Sequence, residues 1–366
     1  MLEHLISLEV KIGSMLVGQI AQTPQRKIVF EYTPEFLING FSISPFYLPL
    51  RPGLFTAPVE PFEGNFGVFN DSMPDGWGNL LLDRFLTSQG IALNSLSVLD
   101  RLSLVGSSGM GALHFFPDQK IQSEINAAEL TFLAQEVRKV ISETDYSEHI
   151  ELLIGVGGSP GGARPKALIR ENDESWMVKF PSSLDPPDIG ALEFEYSHIA
   201  RKCGIEMPET RLFENKYFGV KRFDRDGDKR IHMHTASGLL NASHRFPSLD
   251  YTELIKASFA LTRNMEDSYK LFRQMVFNVL TGIRDDHTKN FSFLYTENEW
   301  CLSPAYDLVR SGGFNRNHST TIAGQGQPTR ADIFEVGNQT GLKQKRILAI
   351  FDEVFQNCDS IRSEDW

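Results

Sequence analysis

Apolar and polar side chains alternate along the start of the chain. Leu5, Leu8, Val10 and Ile12 begin a period-two run, MLVGQIA continues it, and KIVFEYTP ends a third run at Pro34. This spacing predicts strands, and residues 1 to about 116 read as mostly strand. Within that front, NDSMPDGWGNLLLDRFL is a turn cluster feeding a helix with Leu81, Leu82, Phe85 and Leu86 on one side. Leu130, Phe132, Leu133, Val137, Val140 and Ile141 are spaced for the buried stripe of a second helix. A glycine-rich run, GVGGSPGGARPKALIR, leads into the short strand SWMVKFP, and ALEFEYSHIARKCGI then reads as a helix stopped by Gly204. TRLFEN and YFGVKRFD read as strands and DRDGDKR as a turn. From about residue 248 the period becomes helical in YTELIKASFALTR, DSYKLFRQMVFNVLTGI and KQKRILAIFDEVFQ. The layout is a β-rich front (1–116), a mixed middle (117–247) and a helical back (248–366).

Composition narrows the partners. A chain of 366 residues holds about two to two and a half domains. Its 47 acidic and 36 basic side chains give a net charge of −11, which argues against direct phosphate-backbone binding by the whole molecule. Cys203, Cys301 and Cys358 are far apart with no CxxC pair, so neither a structural zinc site nor a disulfide framework is predicted. MLEHLISLEVKIG lacks a basic n-region before a long apolar run, and no stretch reaches the roughly 18 apolar residues of a membrane span. A cytoplasmic protein without membrane contact is expected.

The chemistry concentrates in GIRDDHTKNFSFLY. Asp285 and Asn290 are five apart in a polar loop between a helix and a strand. Protein kinases use this spacing to set a carboxylate at the acceptor hydroxyl and an amide oxygen on magnesium. FSFLY, the turn TENE and WCLSPAY form a predicted hairpin that delivers Asp307 seventeen residues beyond Asn290, where a kinase carries its second metal-binding group. Magnesium takes hard oxygen ligands together with water and substrate phosphate, so one amide and one carboxylate suffice. Upstream, five glycines lie between Gly155 and Gly162, a loop suited to phosphates. Lys179 on the following strand can reach phosphate. Glu193 or Glu195 on the next helix can hold that lysine, and the segment ending at Asp224 can present backbone groups to adenine. Each signal is weak alone; the ordered set is not.

The chain resembles the HipA-like serine/threonine kinase toxins of bacterial toxin–antitoxin systems. PDGWGNLLLDR (74–84), GGSPGGARPKALI (157–169), VKFP (178–181), VKRFDR (220–225), RDDHTKNFSF (284–293) and LSPAYD (302–307) carry the resemblance. It implies an α+β chain: a two-lobed, protein-kinase-like fold with an additional N-terminal β-rich subdomain. It further implies ATP and magnesium (Mg2+) as cofactors and a protein substrate, which in some members is an aminoacyl-tRNA synthetase. A small helix-turn-helix antitoxin would carry the chain to DNA. By position, Asp285 is then the catalytic aspartate, and Asn290 and Asp307 are the metal ligands. Nucleotide contacts fall on Gly157, Gly158, Ser159, Gly161, Gly162, Lys166, Lys179 and Glu193. They continue at Lys221, Phe223 and Asp224, with the backbone of 221–223 at the adenine. Ser159, seven residues before Lys166, matches a loop serine that some members autophosphorylate, although Pro160 and two glycines after it depart from the best-known pattern.

Plainer readings stand beside these. Lys289 either neutralises charge at the γ-phosphate or lies solvated in its loop. His287 reads as a structural hydrogen-bonding group, His232 and His234 lack a third metal ligand, and Trp77 in its PDGW turn reads as a structural joint. Two other functions compete with the protein kinase: a pseudokinase or corepressor that binds an antitoxin, and a small-molecule kinase. The intact Asp–Asn–Asp set opposes the first, and the long front with PDGWG opposes the second.

Overall fold

The alternation at the N-terminus becomes an antiparallel sheet. The computed structural model describes residues 5–120, 130–142, 149–157, 161–183 and 185–366. Strands β1 (Ser7–Ile12), β2 (Met15–Gln22) and β3 (Ile28–Tyr32) pair in sequence. After helix α1 (Pro34–Asn39), strand β4 (Phe55–Thr56) joins β3. Helices α2 (Gly67–Asn70), α3 (Gly76–Ser88) and α4 (Val98–Val105) precede β5 (Leu113–Phe116), which returns to pair with β1. The sheet order is β4-β3-β2-β1-β5.

Leu8, Val10, Val17, Ile20 and Phe30 point to one face and are buried there. Phe30, Tyr32, Phe66, Phe69 and Phe115 meet mostly edge-to-face over it. Gly18 is required in β2, since a Cβ there would lie 2.3 Å from the Glu31 carbonyl oxygen. The expectation of a mostly-strand front is corrected: besides the predicted helix α3, three short helices, α1, α2 and α4, lie among its strands. Their stripes are short, and α4 is declared chiefly by its capping box, in which Ser97 and Asp100 satisfy each other's backbone.

A second core follows. Helices α5 (Leu130–Ser142) and α6 (Ile150–Gly157) lead to β6 (Lys166–Glu171) and β7 (Glu174–Lys179). The chain passes through α7 (Ile189–Lys202) and returns as β8 (Thr210–Phe213) and β9 (Tyr217–Lys221), giving the order β6-β7-β9-β8. Trp77 and Leu81 of α3 join Leu133, Val137, Leu153, Ala167, Trp176 and Val178 in this core. The turn predicted at DRDGDKR is a miniature hairpin of β10 (Arg225–Asp226) and β11 (Lys229–Arg230).

Contacts divide the chain into two compact units. The first comprises residues 1–190 and 211–233 and holds both sheets described so far. The second comprises 191–210 and 234–366. Its main run starts within β12 (His232–Thr235), at His234, and continues through α8 (Ala236–Leu240), α9 (Tyr251–Thr262) and α10 (Met265–Thr281). Strands β13 (Ser292–Thr296) and β14 (Glu299–Leu302) precede helices α11 (Arg330–Gln339) and α12 (Gln344–Asn357). Helix α10 is the axis of this unit: Leu271, Phe272, Met275, Val276, Val279 and Leu280 pack among residues of α7, α9 and α12. Asn264 caps its start, and Gly282 ends it in the left-handed conformation at φ 71°.

Two predictions test the first unit. Gly18→Ala should lower its melting temperature by the equivalent of about 1–3 kcal/mol, because the Glu31 backbone has to shift. His114 is held neutral by burial and by the Arg230 and Arg225 guanidiniums, which lower its pKa to about 4. The unfolded chain therefore binds the extra proton first. Stability from this group is complete above about pH 6.5 and is lost as pH falls through 4. Thermal melts of His114→Gln across that window should show a shallower acid-side decline than wild type.

Candidate active site

In the second unit, the end of α10 sets where the polar loop begins. After Gly282, Ile283 bridges in parallel to Ser311. The Ser311 hydroxyl accepts the backbone N–H of Arg284 at 2.9 Å and of Asp285 at 2.7 Å. Asp285 is thereby held by its main chain while its side chain is exposed. Its neighbour Asp286 faces inward and is 1% exposed. The Asp286 carboxylate accepts Tyr251 Oη–H at 2.9 Å and lies 2.8 Å from His318 Nδ1. It also accepts the backbone N–H of Ser319 at 2.9 Å and of Thr320 at 3.3 Å. Asn278 Nδ2 donates to the same tyrosine oxygen, and Thr320 Oγ1 donates to the Asp286 carbonyl at 2.6 Å. A buried carboxylate so fully paired fastens α9, α10 and residues 318–320 to the loop.

A short turn, Thr288–Asn290, then brings Asn290 back toward Asp285. Asn290 Nδ2 donates to the Asp285 carbonyl at 2.7 Å, which turns its Oδ1 the other way. The predicted hairpin forms with Phe293 opposite Leu302 and Thr296 opposite Glu299. Its two corner residues, Glu297 and Asn298, both have positive φ, as a tight hairpin turn requires. Ser303 N–H donates to the Ser292 carbonyl, and Tyr306 Oη–H donates to the Lys289 carbonyl at 2.6 Å. Asp307 follows immediately, in the left-handed region at φ 58°. The side chain of the residue before Asp307 is thus tied to the carbonyl of the residue before Asn290. His287 caps the turn with its ring 6.1 Å from that of His244, and Thr288 reaches the Ala242 carbonyl at 3.3 Å.

One amide oxygen and one carboxylate suit magnesium that shares its shell with phosphate and water. The orientation of Asn290 agrees with that use, since its donor nitrogen is already engaged. Among the described residues, no group of three or more His, Cys, Asp and Glu side chains could hold a metal by themselves.

In the first unit, the expected loop is partly helix. Gly155 and Gly157 belong to α6, and a Cβ on Gly157 would lie 2.3 Å from the Lys166 carbonyl oxygen. Gly157 therefore serves helix–strand packing. The expectations on Gly158 and Ser159 lie outside the described residues. Gly162 has φ 99°, and Lys166 Nζ donates to the Gly161 carbonyl. Lys166 stands directly opposite Lys179 across β6 and β7. Such partners share a face, so two positive charges are brought together there. Lys179 Nζ also lies 5.7 Å from the centre of the Phe218 ring.

The expected adenine segment differs more. Asp224 is 4% exposed, and its oxygens bond Arg222, Arg225 and the Gly111 N–H, so it is corrected from a nucleotide contact to a structural ion-pair centre. Burial alone would raise its pKa, but Arg222 and Arg225 outweigh that and hold it well below the usual range. The Arg222 N–H donates to the Ser175 carbonyl, and Lys221 pairs with Glu174. In α7, Glu193 is buried and Glu195 is exposed, which settles the helix rotation in favour of Glu193 as the inward carboxylate.

The HipA-like C-terminal domain family matches residues 158–361, and the HipA N-terminal domain family matches 8–116. The chain belongs to the HipA-like family. A protein of Haemophilus influenzae named as a putative kinase is 24% identical over 308 residues, covering 71% of this chain and 85% of that one. Y4dM of Sinorhizobium fredii, also named as a putative kinase, is 28% identical over 153 residues. That match spans only 37% of either chain. A chain of the solved Shewanella oneidensis complex of HipA, HipB and its operator DNA superposes with a TM-score of 0.73 at 19% identity. The superposition covers 97% of this chain and 89% of that one, a likeness of fold. Among the described residues, no helix is long and apolar enough to cross a membrane.

Sequence reasoning gave Asp286 no role and passed over Ser311. The acidic doublet was a usable signal, because adjacent carboxylates cannot both face one acceptor. Asp286→Ala leaves four donors around a buried cavity without an acceptor. It should destabilise the second unit by about 3–5 kcal/mol, read as a fall in its thermal transition. Ser311→Ala should cost only about 1 kcal/mol in the same melt.

Proposed function

We propose that the chain is an ATP- and magnesium-dependent serine/threonine protein kinase of the HipA type. The observation that carries this reading is the loop of residues 284–290. It combines an exposed Asp285 on a fixed backbone with an Asn290 amide oriented by that backbone, and Asp307 follows Tyr306, whose hydroxyl bonds the Lys289 carbonyl of the same loop. Asp285 orients the acceptor hydroxyl and takes its proton as the phosphoryl group moves. Asn290 and Asp307 would hold magnesium, which when bound with ATP neutralises charge on the β and γ phosphates. Lys179 and Lys166 attract the phosphates, Glu193 has the role of holding Lys179, and the backbone of 221–223 meets the adenine. Lys289 at the γ-phosphate and Ser159 as an autophosphorylation site complete the proposal.

Functionally, we read residues 1–116 as the HipA-type front, 117–247 as the nucleotide lobe and 248–366 as the catalytic lobe. The Shewanella complex contains HipB and operator DNA, and a similar small DNA-binding antitoxin suits this chain. With a charge of −11, the partner would make the phosphate contacts on DNA.

Incubation with labelled ATP and magnesium should give phosphate transfer to protein. Asp285→Asn should slow it by roughly 10²–10⁴-fold while preserving ATP binding in calorimetry. Full transfer by that variant sinks the mechanism. Failure of the wild type to bind nucleotide would favour a corepressor without catalysis.

A further inference from the structure

The PDGWG turn has no part in the kinase mechanism, yet its contacts reach the glycine run. Asp75 begins α3 as its N-cap, with Oδ1 accepting the Gly76 N–H at 3.0 Å. Its other oxygen, Oδ2, accepts the Gly162 N–H at 3.3 Å. The Trp77 N–H donates back to the Gly162 carbonyl at 3.2 Å. Both backbone groups of one loop glycine are therefore held by the first turn of a helix more than eighty residues away in sequence.

The fit around these bonds is close. A Cβ on Gly76 would lie 3.0 Å from the Ala163 Cα, so the two backbones touch. The Trp77 ring is 2% exposed, anchored in the core shared with β6 and β7. On the opposite side, Lys166 Nζ bonds the Gly161 carbonyl, and a Cβ on Gly162 would lie 2.5 Å from that nitrogen. The exit of the glycine run is thus fixed from the sheet by Lys166 and from α3 by Asp75 and Trp77.

We propose that Asp75 is a positioning residue for nucleotide binding, acting through the backbone of Gly161–Ala163. A phosphate cradle built from backbone amides works only when those amides already point at the ligand, and glycine has the most conformational freedom to lose. Asp75 does not touch the nucleotide. It removes that freedom beforehand by engaging the Gly162 N–H, so the front segment becomes part of the phosphate site. The inference rests on the reading of this run as a nucleotide loop.

Asp75→Asn tests it. The amide oxygen can still cap Gly76, but the amide nitrogen then opposes the Gly162 N–H, donor against donor. Asp75→Ser keeps a capping oxygen and lacks the second acceptor. In nucleotide-free protein, backbone hydrogen exchange across 161–166 should accelerate at least tenfold in both variants. ATP–magnesium affinity measured by calorimetry should weaken about tenfold. Asp83→Asn, an exposed carboxylate on the same helix, should change neither. Unchanged exchange in both Asp75 variants overturns the clamp. Faster exchange with unchanged ATP affinity overturns the positioning role. Absence of ATP binding by the wild type overturns the kinase reading and the nucleotide role with it. That result is distinguishable from failure of the clamp, because the exchange rates need no nucleotide.

Discussion

The loop of residues 284–290 depends on one buried carboxylate. Asp286 gathers a tyrosine hydroxyl from α9 and, from the consecutive residues 318–320, an imidazole nitrogen and two backbone N–H groups. Taking a carboxylate out of water is unfavourable unless its oxygens are fully paired. The geometry that satisfies them also sets the direction of the following loop. Consecutive residues point their side chains apart, so an inward Asp286 obliges Asp285 to face outward. The order of the acidic doublet is a structural consequence of which position finds Tyr251 and His318.

The same logic works at a second point. Arg222, Arg225 and Arg230 converge on Asp224, an excess of positive charge in a buried place. The remaining guanidinium N–H groups find carbonyls at Ser107, Gly109 and Gly111. Even so, burial and mutual repulsion lower Arg225 to about 9 and Arg230 to about 10. Glycines at 109 and 111 let the backbone turn its oxygens toward these donors, and Gly111 does so at φ 70°.

Much of this was legible in the sequence, and the failures share a cause. Strong periodicity identified β1 to β3, α5, α7, α9, α10 and α12, because a buried stripe must repeat at the spacing of its element. The hairpin before Asp307 was legible from its alternation and its polar corner. Helix α6 was not, since Gly155 and Gly157 carry a loop's propensity, and only packing on α3 and β6 overrides it. In the front α3 was legible, whereas α1, α2 and α4 were hidden by their brevity. At the site, spacing selected Asp285, Asn290 and Asp307 as a group. It could not show that Asp224 and its neighbouring arginines are buried, because the backbone at Gly111 that covers them lies more than a hundred positions away. Glu193 and Glu195 could be told apart only once the rotation of α7 was known.

The Asp224 knot has an evolutionary meaning. The two family domains follow each other along the chain as if they were separable modules. Yet carbonyls at 107–111 close the arginine cluster of 222–230, and Trp77 completes a core built mainly from residues 130–217. A recombination event between them would strand buried guanidiniums and open a cavity the size of an indole. Lineages can therefore exchange this pair as a unit, or adjust both sides of the seam together, but not shuffle one half freely against a foreign partner.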